Sequence, residues 1–234
     1  MKVLDKLAPL KLDRTRQSAP QVFEALREAI VSVQLTPGTV LQRGELAEHF
    51  GLSQTPIRDA LQRLGDEQLV DIFAQHATVV SRIDVSAALE AHFLRRAVEL
   101  EILKTLCELP ETQHSELMTR LNAHLQMQES TLQPLDVHRL ALSDQAFHRE
   151  MYEAAGVASL WALVRRQSGH VDRLRHLNLP AEGKAEAIVR DHRAIVQALA
   201  GRAPQEAQAA LRRHLAGTLS FVQDIKDRFP AWTV

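Results

Sequence analysis

The chain reads as mainly α: an N-terminal winged helix–turn–helix of three helices and a β-hairpin, followed by an all-α bundle of six helices. Three observations lead there. The stretch Glu45–Leu64, ELAEHFGLSQTPIRDALQRL, has the spacing of two short helices joined by a tight turn. Directly after it, Val70–Phe73 and Thr78–Ile83 are β-prone runs around a short polar connection. From Asp84 onward apolar residues recur at helical spacing, punctuated by Pro110, Pro134, Gly156, Pro180, Gly201 and Pro204, with no strand signal.

Composition narrows the function classes. With 234 residues, 45% hydrophobic and 24% charged, the chain can build one large or two small globular cores. Aromatic residues are only 4%, which argues against a stacking platform for single-stranded nucleic acid. There is no apolar run near the ~20 residues of a membrane span and no apolar h-region of a signal peptide. Single Cys107, on a helical run, excludes an internal disulfide framework and fits a small buried residue of a cytoplasmic protein. Net charge is −1 and stays balanced when the chain is divided at residue 82, so any attraction to phosphate must come from a local face.

Taken in order, residues 1–19 carry five basic and two acidic residues and read as a loosely ordered arm. Val22, Phe23, Leu26, Ile30 and Val33 mark a first helix over 21–32, and Pro37-Gly38 turns the chain into an extended stretch. In the helix pair, Ala47 allows close crossing, Gly51 supplies a positive φ for the turn and Ile57 closes the small core. Ser53 stands at the N-cap of the second helix, with Pro56 in its first turn. Ile57, Ala60, Leu61 and Leu64 face inward; Gln54, Thr55, Arg58 and Gln62 face outward. Arginine fits guanine O6/N7, glutamine fits adenine N6/N7 and a threonine methyl suits thymine, so this face can read base edges. A solvated face on an ordinary helical hairpin is the plain alternative. The strands complete a head over residues 20–83.

The pattern LTPGTVL…ELAEHFGLSQTPIRDALQRL…QLV resembles the DNA-binding half of GntR-family bacterial transcription regulators. The resemblance implies a homodimer with its two recognition helices in adjacent major-groove turns of double-stranded operator DNA. It carries Thr55 and Arg58 onto DNA-contacting positions; Arg43, Ser53, Gln54, Gln62 and His76 complete the candidate DNA-binding set. Gln54 stands where the family has arginine, Gly44 where a basic residue often precedes Glu-Leu-Ala, and His76 where the wing has glycine. These departures bear on the operator sequence more than on the fold.

In the second half, helices are expected over 84–108, 113–130, 134–155, 157–177, 182–200 and 204–228, with 229–234 as a tail. Asp144 and His148 are four apart, hence on one helix face. His192 and His214 fall on two later helices, roughly 15 and 18 Å below their shared turn at 1.5 Å per residue. Asp144 and His148 fall at a like depth below the turn at Gly156, roughly 18 and 12 Å. Three imidazoles and a carboxylate at one level inside a bundle suit a divalent transition metal, with Zn²⁺ as the default and Ni²⁺ or Mn²⁺ open. Taken one at a time, each histidine fits an ordinary core or surface position. The patterns D-x-x-F-H at 144–148 and x-D-H-x-x-I at 190–195, with a third histidine 22 positions after His192, resemble the FCD ligand-binding domain of FadR-type GntR regulators. The helix count suggests the six-helix, VanR-like variety. That family commonly holds a metal on an Asp and three His.

Its R-x-x-x-E pattern puts Arg95 at the effector pocket, where a guanidinium fork would take a carboxylate. An Arg95–Glu99 pair along one helix is the structural alternative. His170, Arg173, Arg175 and His176 read as a solvated basic face. The functional expectation is a metal-containing repressor released by a small organic-acid effector. The alternatives are a metal-dependent, hydrolase-like enzyme on the Asp/His set, although no H-E-x-x-H is present, and a scaffold bundle that predicts no metal.

Overall fold

A computed structural model describes residues 12–13, 15–73 and 77–234. The arm expected over 1–19 lies outside the described residues up to Lys11, and α1 already begins at Ser18 (Ser18–Val31). The short stretch before it is tied down: the Gln21 side chain accepts from the Asp13 N–H at 2.8 Å and donates to the Asp13 carbonyl at 2.9 Å. Helix α2 (Arg43–Phe50) ends on Gly51 at φ +62°, the left-handed turn its sequence calls for. Helix α3 (Gln54–Asp66) buries Ile57, Ala60, Leu61 and Leu64 against Val22, Leu26, Ile30 and Leu46. Ser53 occupies the N-cap position of α3, yet its side chain makes no capping bond. The usual donor is the N–H three residues on, and at Pro56 there is none.

The expected hairpin is a three-stranded sheet. Strand β1 (Val40–Leu41) joins β2 (Val70–Ile72) and β3 (Thr78–Val80) in the order β1-β3-β2, all antiparallel. The extended chain after Pro37-Gly38 thus pairs with the wing, Val40 opposite Val79. Strand β3 stops short of Ile83 because Ser81 turns its N–H and hydroxyl onto the Leu69 and Gln68 carbonyls.

The second half begins with α4 (Val85–Cys107), capped by the Asp84 carboxylate, which accepts from the Ser86 and Ala87 N–H groups. Helices α5 (Glu111–Ser130), α6 (Val137–Ala154), α9 (Lys184–Ala200) and α10 (Pro204–Leu219) pack with it around Leu103, Phe147, Met151, Tyr152, Leu199 and Leu211, and Cys107 is buried there as expected. Two of the six expected helices are broken. The fourth divides at Ser168 into α7 (Ala158–Gln167) and α8 (Gly169–Asn178). Ser168 Oγ takes the Arg165 carbonyl at 2.9 Å, and a Cβ on Gly169 would stand 2.6 Å from the buried Leu69 side chain of the head. Only glycine lets α8 approach the head this closely. The sixth divides into α10 and α11 (Val222–Arg228), where Lys184 Nζ and Ser220 Oγ bond the Gly217 carbonyl.

Residues 229–234, expected only as a tail, pair with the connector between the halves. Ile83 and Thr233 form a parallel bridge, and the Ile83 N–H donates to the Trp232 carbonyl at 2.7 Å. The connector is also held from α8: Arg173, fully buried, donates to the Ser81 carbonyl at 2.7 Å, and His170 Nδ1 accepts from the Asp84 N–H at 2.9 Å. The expected solvated basic face is therefore wrong for His170 and Arg173, which fasten the head to the bundle. Arg27 of α1 adds a second fastening, donating to Glu67 and to the Arg165 carbonyl, each at 2.7 Å. No helix among the described residues is long and apolar enough to cross a membrane.

Candidate metal centre and DNA-reading face

The bundle brings the four expected side chains together. Asp144 and His148 come from α6, His192 from α9 and His214 from α10; all four are buried, and one ligand atom of each lies within 4.8 Å of the rest. His214 Nε2 is 3.2 Å from His148 Nε2 and 3.2 Å from His192 Nε2. Asp144 Oδ1 is 3.5 Å from His192 Nε2 and 4.0 Å from His148 Nε2.

The shorter of these spacings fit an ion. Four ligands held about 2.0–2.1 Å from a tetrahedral centre stand about 3.3–3.4 Å from one another. The outer ring atoms explain why the inner ones converge. His192 Nδ1 faces Gln128 Oε1 at 2.8 Å, and His148 Nδ1 lies 2.9 Å from Glu99 Oε2. With its ring proton engaged on Gln128, His192 keeps its inner lone pair free for a cation, whereas His148 Nδ1 and His214 Nδ1 make no hydrogen bond. Phe147, stacked on His192 with centroids 4.2 Å apart, fixes the ring plane. Asp144 Oδ1 has no hydrogen-bond partner although it is buried. Unpaired lone pairs converging in a dry site repel unless a positive charge lies between them.

Electrostatics agree with that donor set. Burial pushes His192 down to about 3 against the pull of Asp144, and burial with its two imidazole neighbours holds His214 well below the usual histidine range. Burial opposes ionisation of Asp144, but Arg175 and the imidazoles overcome it and hold its carboxyl well below the carboxylate range. The same contest, won by Arg95 and His148, brings Glu99 down to about 2. Neutral imidazoles and an ionised carboxylate are the forms that bind metal.

Arg95 and Glu99 form the helix pair offered as the structural alternative, Nε to Oε1 at 2.7 Å, and both are buried. Arg95 also borders a small cavity beside the centre, with Asp144, Trp161, Arg165 and Arg175. Arg175 was missed. It donates to Asp144 Oδ2 and borders both that cavity and a larger one, so it too is no part of a solvated face. No local motif marks it: Arg175 lies 31 positions from Asp144, on a helix that begins after the break at Ser168.

On the head, Ser53, Gln54, Thr55, Arg58 and Gln62 are all exposed on or beside α3, as is Arg43 at the start of α2. Arg58 lies 3.3 Å from Asp59, an exposed pair weak enough for a base or phosphate to displace. His76 lies outside the described residues.

With this geometry in place, comparison with known proteins is direct. The profile of the bacterial regulatory proteins of the gntR family matches residues 18–80, and that of the FCD domain matches residues 90–217. An HTH-type transcriptional regulator in an unstable DNA locus of Streptomyces ambofaciens is 31% identical over 215 residues, covering 92% of this chain and 89% of its own. The HTH-type transcriptional repressor RspR of Escherichia coli is 24% identical, with 95% and 96% covered. The solved structure of E. coli McbR/YncC superposes with a TM-score of 0.75 at 19% identity over 89% of this chain and 98% of that one, a likeness of fold. Relatives of this kind are regulators, and the enzyme alternative is set aside. With a winged head and an all-helical second domain matched in order, the chain belongs to the GntR family of bacterial regulatory proteins, as a member that carries an FCD domain.

Proposed function

We propose that the chain is a metal-containing, ligand-responsive transcription repressor that grips a palindromic operator as a homodimer and is released by a small organic acid. The observation that carries this reading is the inward convergence of Asp144 Oδ1 and three Nε2 atoms, with a cation, Arg175, at the edge. Asp144, His148, His192 and His214 would hold one divalent ion, zinc in the first instance; when bound, it supplies a Lewis-acidic attachment point for an anionic oxygen. Arg175, and Arg95 behind it, give a carboxylate its counter-charge. Exposed Leu89 and Phe93, four apart on α4, support self-association through that face. Repression is supported by relatives such as RspR.

An effector can release DNA only through unequal affinity for the two arrangements of the heads. The test has two parts. Elemental analysis of protein purified without added metal should give about one equivalent per chain, lost in His192→Ala. Mobility-shift titration on a duplex from the gene's own upstream region should then show binding that carboxylates weaken. Protein devoid of zinc, nickel and manganese would remove the centre; operator binding indifferent to every carboxylate tried would remove induction.

A further inference from the structure

The connector between head and bundle is held along its backbone from two sides. From α8, Arg173 donates to the Ser81 carbonyl at 2.7 Å and to the Arg82 carbonyl at 3.4 Å, while His170 Nδ1 accepts from the Asp84 N–H. The other side is taken by residues 229–234, about 150 positions further along the chain. The Ile83 N–H donates to the Trp232 carbonyl at 2.7 Å, the Val234 N–H to the Ile83 carbonyl at 3.0 Å and the Val85 N–H to the Val234 carbonyl at 3.1 Å. Arg82 closes over them, its Nη2 donating to the Pro230 carbonyl at 3.2 Å and to the Thr233 carbonyl. Helix α11 delivers the segment: Ile225 is buried with Ile83, Ala88, Val171 and Leu174, and Phe229 packs on that cluster and stacks on Trp232, centroids 4.8 Å apart. Among the described residues, neither the core of the head nor that of the bundle around Leu103 includes any of residues 230–234. Their bonds across the fold go to the connector.

We propose that residues 229–234 are a positioning strap for DNA reading: laid along the connector, they fix the angle between head and bundle, and with it the spacing of operator half-sites that the protein accepts. This rests on the homodimer and palindromic-operator reading above. In a two-fold dimer each recognition helix hangs from its bundle through its own connector, so slack in that angle becomes slack in the distance between the two helices. Little slack is enough. For a head roughly 25 Å across, a swing of about 8° carries the far side by about 3.4 Å, one base-pair step. A connector tied from α8 alone can pivot about those bonds, and a second line of bonds beside it removes that freedom. Arg82, Trp232 and Val234 are positioning residues that act through the connector.

The test compares the full chain with Val234→Pro, Val234→Ala and a variant lacking residues 230–234. The Val234 side chain is exposed, so proline removes the backbone donor to Ile83 and little else, and alanine keeps that donor. The probes are duplexes from the gene's own upstream region, footprinted to locate both half-sites. They carry the natural spacing, one or two inserted base pairs, or a single half-site. In mobility-shift titration the parent and Val234→Ala should prefer the natural spacing at least about tenfold, because an added base pair misplaces the contacts of one half-site. The preference should fall to within about threefold in the shortened chain and to an intermediate value in Val234→Pro, with single half-site binding unchanged throughout. Hydrogen exchange across the connector should quicken in the same two variants at constant helix content. A preference that survives in either of them, or a connector that exchanges no faster, overturns the strap. Loss of single half-site binding in both would make the segment part of the head's own fold and overturns it too. A parent that binds DNA but is indifferent to spacing overturns the dimeric reading itself.

Discussion

His170 offers a quantitative check on how the head is fastened. Its Nδ1 receives two donors, the Asp84 N–H at 2.9 Å and Arg173 Nη2 at 2.8 Å, and the ring is 4% exposed. A proton arriving at Nδ1 would meet two donors already aimed at the lone pair. Burial, with the Arg173 charge behind it, accordingly pushes His170 down to about 4 from an ordinary 6.5. The folded state holds the proton less tightly than the unfolded state. Stability from this site is therefore complete above pH 6.5 and is lost as pH falls towards 4. Each pH unit in that window is worth about 1.4 kcal/mol, which comes to about 2 kcal/mol between pH 7 and pH 4.5. His170→Asn keeps an acceptor near the Nδ1 position and has nothing to protonate. Urea unfolding of parent and variant at both pH values should show the parent losing about 2 kcal/mol more than the variant. Other titrating groups are shared by the two proteins and cancel. Equal losses would refute the account of His170 as a neutral acceptor between two donors.

Three further outcomes follow from the same geometry. Gln128→Met removes the acceptor that fixes His192, and chelator competition should show zinc affinity falling about 10–100-fold with the helix content unchanged. Arg58→Ala should cost about 1–3 kcal/mol of operator binding if Arg58 reads a base, and unchanged affinity in a mobility-shift titration would discard that role. Gly169→Val must displace Leu69, which lies 2.6 Å from an added Cβ; limited proteolysis should then cut the connector near Ser81–Asp84 faster than in the parent.

The centre was legible in the sequence because helices are regular. A rise fixed per residue turns positions 144, 148, 192 and 214 into depths, and punctuation at Gly156 and Gly201 sets the zero for each pair. The head was legible because its turn needs a left-handed residue, and Gly51 supplies one. The missing Ser53 cap was readable in principle, since Pro56 lacks the donor. The break at Ser168 was not: a continuous apolar pattern ran through it, and the close contact made at the next residue, Gly169, is with Leu69, a hundred positions earlier in the chain. His170, Arg173 and Arg175, with their contacts to the connector and to Asp144, all lie on the helix that starts after that break. A basic-looking surface thus became the joint between two domains for reasons no local window contains. The third strand escaped for a similar reason, since two residues, Val40 and Leu41, carry too little pattern to announce a partner at Thr78–Val79.

Helix α8 places two arginines two positions apart, and so about 200° apart around its axis. Arg173 grips the Ser81 carbonyl while Arg175 grips Asp144 at the centre. The angular phase between them is set by residue count alone. Inserting or deleting one residue between them would swing one grip about 100° from its target, so this ten-residue rod, none of whose residues is exposed, is held to a fixed length.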